Sequence, residues 1–189
     1  MKLTITADID LDSPSAHGRY VTWLDVAVAD GGRTMGVARV ALVHVGEIAD
    51  AQGDLWPTLQ GTPLEGLHDV YFEQGWYRDD YADGAGIDLL HVASIELDES
   101  CRGRNVDLAI VRRLAATIGS SCQLVTMAYR SALEAAYWAQ LGFGISTAGR
   151  PSGYMHMKLG YRHAQLVASD LAADFRIVGS QAPSGNAAN

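Results

Sequence analysis

The chain has 189 residues, 48% of them hydrophobic and 19% charged, which is typical of one folded domain with its own core. Its net charge of −8 and its lack of a broad basic stripe predict that neither nucleic acid nor a membrane is a partner. No apolar run reaches transmembrane length, and the first ten residues lack the regions of a secretory signal. Two cysteines, Cys101 and Cys122, form neither a disulfide framework nor a zinc site, so we expect reduced thiols in a cytoplasmic protein.

The N-terminal part of the sequence predicts a β-meander. Residues 2–9 and 20–29 show the patterns of two strands. The turn at residues 30–32, Asp-Gly-Gly, is typical of a tight hairpin, and residues 33–45 return as a third strand. A long segment, residues 46–86, then separates this meander from the next strand.

The middle of that long segment, residues 64–76, predicts a helix with several aromatic residues close together. Unusually long connections are often functional, which favours a segment that lines a substrate site. A packed surface helix with no role in binding explains the same pattern, and the two interpretations remain open.

The centre of the chain joins a buried strand to a helix through a basic turn. Residues 89–97 are apolar and partly β-branched, as in a buried strand, and residues 98–100 are a polar turn. The basic residues 101–105 lead into a helix whose apolar residues recur at helical spacing. Free N–H groups and the positive end of the helix dipole meet at such a turn, so it predicts an anion site.

The last third of the sequence predicts a further strand–helix unit and a polar tail. Ser131 and Glu134 form a capping box at the start of a helix that ends before Gly142. Residues 179–189 are rich in small polar residues and predict a disordered tail. Strands are predicted over residues 123–128, 143–146 and 154–159, and a last short helix over residues 162–175.

Two stretches resemble the GNAT acyltransferases, the general-control-related N-acetyltransferases. The family signature after its fourth strand, Q/R-x-x-G-x-G/A, reads here Arg102-Gly103-Arg104-Asn105-Val106-Asp107, with Asn105 and Asp107 in place of small residues. Residues 131–143 are similar to the family helix N-x-x-A-x-x-F-Y-x-K-L-G-F, with Ser131 for its asparagine and Trp138 for its tyrosine.

The resemblance implies a GNAT fold of class α/β (α+β) over residues 1–178: a mixed, mostly antiparallel sheet flanked by helices. The long insertion between strands three and four is a departure, as is a first connection too short for the two helices that the family normally places there. The implied activity is transfer of an acetyl group from acetyl-coenzyme A to a primary amine of a small molecule, with a homodimer left open. The alternative is a GNAT-fold binding or interaction module without catalysis, which Asn105, Asp107 and Trp138 favour.

The resemblance also implies where the cofactor would bind. Backbone of strand four would pair with the pantetheine, and the amides of residues 102–107 would hold the pyrophosphate. Asp107 shares the helical stripe of Ile110 and Leu114, which points it toward this notch. The expected cofactor-binding residues are Ile95, Leu97, Arg102, Gly103, Arg104, Asn105, Val106, Asp107 and Ser131, and no metal is expected.

Two residues are candidates for acid–base catalysis. Counting back eleven residues from Arg102, where the family often has a glutamate, leads to His91, a residue that can accept a proton at neutral pH. Strand periodicity predicts that His91 shares a face with Ile95 and Leu97. Tyr137 is the candidate acid, about 100° around the helix from Trp138. For both residues, packing in the core is the other interpretation.

Overall fold

The computed structural model describes residues 1–7, 9, 12–147, 153–160, 165–168 and 174–178. The predicted tail, residues 179–189, lies outside these ranges. Within the ranges described, no helix is both long and apolar enough to cross a membrane.

The fold is built on one seven-stranded sheet. Its strands have the order β1-β2-β3-β6-β7-β9-β8, and every neighbouring pair is antiparallel except β6 and β7. Two further hairpins pair β4 with β5 and β10 with β11. The strands are β1 (Lys2–Ala7), β2 (Val21–Asp30), β3 (Arg33–Val43), β4 (Phe72–Glu73), β5 (Trp76–Tyr77), β6 (Asp88–Leu97), β7 (Cys122–Ala128), β8 (Gly144–Ile145), β9 (Tyr154–Lys158), β10 (Gln165–Ala168) and β11 (Phe175–Val178).

Helices cover both faces of this sheet, as the predicted fold class requires. On one face the two longest helices bury an apolar core that includes Val92 and Leu114. On the other face the insertion buries a second core that includes Leu89 and Tyr71. The helices are α1 (Ala16–Tyr20), α2 (Val45–Asp50), α3 (Leu55–Leu59), α4 (Glu65–Tyr71), α5 (Val106–Thr117) and α6 (Ala132–Ala139).

The mixed, mostly antiparallel sheet, the N-terminal meander and the insertion after β3 are therefore confirmed. The helix predicted within the insertion is shorter than expected, because α4 ends at Tyr71 and the β4–β5 hairpin follows. Leu64, Leu67 and Phe72 are almost fully buried, so the insertion packs against the sheet. This burial accounts for its apolar residues without a role in binding.

Strand β6 has an extra residue, and it loses one of its two neighbouring strands at the same point. Arg39 of β3 lies opposite Ser94, whereas Val40 lies opposite Val92, so Ala93 forms a β-bulge. The parallel pairing of β6 with β7 also stops at Val92. Within the described ranges, residues 93–97 therefore pair with β3 alone, and their other edge faces a gap.

The prediction of a helix over residues 162–175 is wrong for residues 165–168 and 174–175, which are the part of this range that the structure describes. Residues 165–168 and Phe175 belong to strands of the β10–β11 hairpin, in which Ala168 pairs with Phe175. Leu166, Phe175 and Ile177 are partly buried against the α5 core. This docking against a distant part of the chain outweighs the local helical pattern.

Candidate active site

A cleft of ≈ 460 Å³ lies where the gap in the sheet meets the start of helix α5. Its walls are the C-terminal half of β6, the turn that follows, the first turn of α5 and one side of α6. The cleft therefore joins the unpaired edge of β6 to the N-terminus of α5. It is lined by Ile95, Leu97, Asp98, Glu99, Cys101, Arg102, Gly103, Asp107, Glu134, Tyr137 and Trp138.

The backbone supplies two kinds of hydrogen-bonding group to this cleft. Among the residues that the structure describes, no strand pairs with the outer edge of β6 at Ile95 and Leu97, so this edge can pair with an extended ligand. The first N–H groups of α5, at Val106 and Asp107, lack acceptors within the helix and favour an anion. An extended chain that ends in an anionic group fits this arrangement.

A hydrogen bond between two predicted site residues crosses the cleft. The Tyr137 hydroxyl donates to Asp107 Oδ1 at 2.5 Å and lies 3.5 Å from Asn105 Oδ1. Burial, together with the hydrogen bond and the negative charge of Asp107, raises the pKa of Tyr137 well above its usual value. Tyr137 is therefore protonated at neutral pH, with its proton directed at a carboxylate.

Four carboxylates line the cleft, and each has a hydrogen-bond partner. Asp98 accepts from Arg33 at 2.8 Å, and Glu99 accepts from Arg102 at 3.4 Å. Glu134 accepts from the backbone N–H of Arg130 at 2.8 Å, and Asp107 accepts from Tyr137. The backbone favours an anion here, while the side chains add negative charge.

The two arginines of the signature point in different directions. Arg102 is exposed and lines the cleft, as predicted. Arg104 instead donates from Nε to Asp174 at 2.9 Å and from Nη1 to the carbonyl oxygen of Ser100 at 3.0 Å. Arg104, expected as a cofactor-binding residue, does not line the cleft, because the C-terminal hairpin supplies a carboxylate that holds its side chain elsewhere.

Asn105 has a structural reason to replace the small residue of the signature. Its φ of 53° lies in the left-handed region, which asparagine tolerates better than most residues. Its Nδ2 donates to the carbonyl oxygen of Phe175 at 2.9 Å. The N–H of Phe175 in turn donates to the carbonyl oxygen of Arg104 at 3.1 Å. Asp174 and Phe175 were not among the expected site residues, since only the alternation around Phe175 indicates a strand there.

Two other predicted cofactor residues contribute less than expected. The Val106 side chain is buried in the core and does not line the cleft, so only its backbone N–H can face a cofactor there. Ser131 does not line the cleft, and its Oγ accepts from the N–H of Glu134 at 3.1 Å. This is the Ser131 half of the predicted capping box, whereas the Glu134 carboxylate accepts from the N–H of Arg130, one residue before the N-cap.

His91 lies on the opposite face of the sheet from the cleft. It is opposite Ala41, in the insertion core, whereas Ile95 is opposite Ala38, in the α5 core. The prediction that His91 shares a face with Ile95 and Leu97 is wrong, because the bulge at Ala93 reverses the alternation. Its Nδ1 lies 3.1 Å from Thr126 Oγ1, and burial lowers the pKa of His91 to about 4.

These features are the ones that the resemblance to the GNAT acyltransferases predicts: a mixed sheet with a gap beside its fourth main strand, and a basic turn before a helix. No protein-family model matches the sequence, and no curated protein matches it.

Three solved structures of GNAT fold are similar to this chain. AtaT complexed with acetyl-methionyl-tRNAfMet shares 9% identity over 83% of this chain and 95% of that chain, with a TM-score of 0.43. The KacTA–DNA complex shares 12% identity over 83% of this chain and 93% of that chain, with a TM-score of 0.42. The third structure is Drosophila melanogaster polyamine N-acetyltransferase, which catalyses the formation of N-acetylagmatine. It shares 16% identity over 71% of this chain and 74% of that chain, with a TM-score of 0.40.

The exclusion of nucleic acid as a partner is wrong, because two of these three structures contain tRNA or DNA. Net charge is summed over the whole chain and does not describe local surface charge. A total of −8 therefore does not exclude a nucleic-acid partner.

Proposed function

We propose that this protein is a GNAT-type N-acetyltransferase that moves an acetyl group from acetyl-coenzyme A to a primary amine of a small molecule. The observation that supports this most directly is the one-sided pairing of β6 beyond Val92, beside a cleft that ends at the N-terminus of α5. A single domain over residues 1–178 and a cytoplasmic location belong to the same proposal.

The cofactor would use the backbone of the cleft more than its side chains. The pantetheine would pair with the open edge of β6 at Ile95 and Leu97, and the pyrophosphate would meet the amides between Gly103 and Asp107. Arg102 would add positive charge at the mouth of the cleft. The thioester would then lie near the bulge at Ala93, where the gap between β6 and β7 begins.

The acceptor amine would approach from the face opposite α5. Ser94 and Glu96 lie on that face, opposite Arg39 and Val37, and both are exposed. His91 belongs to the same face, so it stays our proposed general base, acting from the acceptor side. Its lowered pKa keeps the imidazole neutral at pH 7, as a proton acceptor must be, although it also weakens the base.

Tyr137 stays the proposed acid for the leaving thiolate. Its raised pKa keeps the proton on the phenol, but the hydroxyl donates to Asp107. It would have to turn from that carboxylate toward the sulfur after cofactor binding. Some GNAT acyltransferases use no dedicated acid, so the proposed activity does not depend on Tyr137.

A binding or interaction module without catalysis is the second candidate. The observations that favour it are the carboxylates around the cleft and the attachment of Arg104 to Asp174 rather than to a ligand. Both candidates share the fold and differ in whether acetyl-coenzyme A is consumed.

Calorimetry with acetyl-coenzyme A, followed by a free-thiol assay with a panel of small primary amines, tests the proposal. We expect saturable binding of acetyl-coenzyme A and release of coenzyme A that requires an amine. An aminoacyl-tRNA in the same assay measures transfer to an amine carried by a macromolecule. Binding without release for any acceptor would support the module, and no binding would overturn both candidates.

A further inference from the structure

A second cavity, of ≈ 550 Å³, lies on another side of helix α5. It opens between α5, the strands β1 and β2 and the C-terminal hairpin, and none of its lining residues lines the cleft. Its volume is within the range of about 300–1,000 Å³ that small-molecule sites have. The apolar residues of its wall include Leu3, Val28, Val106, Ala109, Ile110 and Phe175.

The apolar wall reaches into the core of the protein. Val28, Val106 and Ile110 are almost fully buried, while Leu3 and Phe175 are partly buried. An apolar ligand group that enters from the surface would thus meet side chains that water barely reaches. Such burial favours binding in proportion to the apolar area removed from water.

Two adjacent arginines, Arg112 and Arg113, complete the lining of this cavity. Within the part of the chain that the structure describes, neither has an acidic partner, whereas Arg33, Arg78 and Arg102 each pair with a carboxylate. In a protein of net charge −8, two neighbouring unpaired cations beside an apolar wall are complementary to an anion.

We propose that this cavity binds an anionic amphiphile, a medium-chain carboxylate whose chain lies among Leu3, Val28 and Ile110. Its carboxylate lies at Arg112 and Arg113, whose guanidinium groups suit a carboxylate because their donors can pair with both oxygens. The site is separate from the acyl-donor cleft and does not depend on acetyl transfer.

Titration of the full-length protein with hexanoate, octanoate and decanoate tests whether the cavity binds the hydrocarbon chain of the ligand. The concentrations stay below those at which the carboxylates form micelles. Calorimetry should show binding that tightens about fourfold for each buried methylene. Decanol, which has the same chain without the charge, should bind at least about tenfold more weakly than decanoate. Equal affinity for the three carboxylates, or no binding of decanoate, would overturn the proposal.

Variants separate the two parts of the site. Arg112→Gln combined with Arg113→Gln should bring the affinity for decanoate down to that for decanol. Arg130→Gln, which neutralises one exposed arginine just before α6, should leave it unchanged. Ala109→Leu should fill the cavity and abolish binding of every chain length, provided that circular dichroism shows a native fold. Unchanged decanoate affinity in the double variant, or in a folded Ala109→Leu protein, would also overturn it.

Discussion

The hydroxyl of Tyr137 and the carboxylate of Asp107, 2.5 Å apart, join helix α6 to the first turn of α5. This bond places a negative charge where the GNAT signature has a small residue, and where the proposed cofactor would bring its pyrophosphate. The same bond directs the phenolic proton away from the end of the cleft where a thiolate would leave. It therefore affects both proposed roles of the cleft.

Asp107→Asn should tighten the binding of coenzyme A about fivefold. The change removes a charge that would repel a phosphate about 4 Å away by ~1 kcal/mol in water, while the amide oxygen still accepts from Tyr137. Calorimetry at low and at high salt measures the effect, which should shrink as salt screens the charges. Tyr137→Phe is the matched control, because it removes the bond and keeps the charge, so it should not tighten binding. Weaker binding by Asp107→Asn would mean that the carboxylate orders the turn.

Arg102→Gln and Arg104→Gln should have opposite profiles. Arg102 lines the cleft, so its loss should weaken coenzyme A binding severalfold with little change in the melting temperature. Arg104 bonds to Asp174, so its loss should lower the free energy of unfolding by up to about 1 kcal/mol and change the affinity little. Thermal unfolding and calorimetry on both proteins test this, and an affinity loss confined to Arg104→Gln would reverse the assignment.

Substitutions of Asn105 should separate backbone strain from the side-chain bond. Asn105→Ala should lower the free energy of unfolding by about 2 kcal/mol, because it combines left-handed strain with the lost bond to Phe175. Asn105→Gly tolerates the same φ and should cost only about 1 kcal/mol. Urea unfolding of the two variants gives the comparison. Equal losses would show that the conformation of this residue contributes nothing.

His91→Gln should lower kcat by ~10²–10⁴ if His91 is the general base, and leave the KM for acetyl-coenzyme A nearly unchanged. The pKa of His91 is lowered to about 4, so the wild type should show no loss of kcat from its protonation between pH 5 and 8. In that range the rate should instead rise with the neutral fraction of the amine. A folded variant with the kcat of the wild type would assign His91 to the core.

Stability should fall as the pH is lowered from about 6.5 to about 4. Burial lowers the folded-state pKa of His91 and of His156 to about 4, so the unfolded chain binds more protons in this window. For His91 alone, the free energy of unfolding should decrease by about 2 kcal/mol between pH 7 and pH 5. Urea unfolding across this range measures the slope, and His91→Gln should flatten it. A slope that His91→Gln leaves intact would contradict the assignment.

The sequence predicted the elements that local patterns determine. The strand before the basic turn, helix α5 and the N-cap at Ser131 occur as expected, because apolar periodicity and capping chemistry act over a few residues. Five of the predicted cofactor residues also line one cleft: Ile95, Leu97, Arg102, Gly103 and Asp107.

The remaining features depend on contacts between distant parts of the chain. An extra residue within an apolar strand does not change its apolar pattern, so the sequence could not indicate that His91 and Ile95 lie on opposite faces of the sheet. The bond from Arg104 to Asp174 spans seventy positions and needs the C-terminal hairpin in place. Tyr137 and Asp107 lie on different helices, and their contact depends on how these helices pack around the cleft.

The bulge at Ala93 makes the number of residues in β6 as important as their identity. Ala93 is exposed, so many side chains should be accepted there. Its deletion would restore regular alternation and force one half of the strand to exchange faces, sending Leu89 and Leu90 into each other's cores or Ile95 out of the cleft. In a deletion scan of this strand, a single missing codon should therefore do more damage than almost any replacement at the same position.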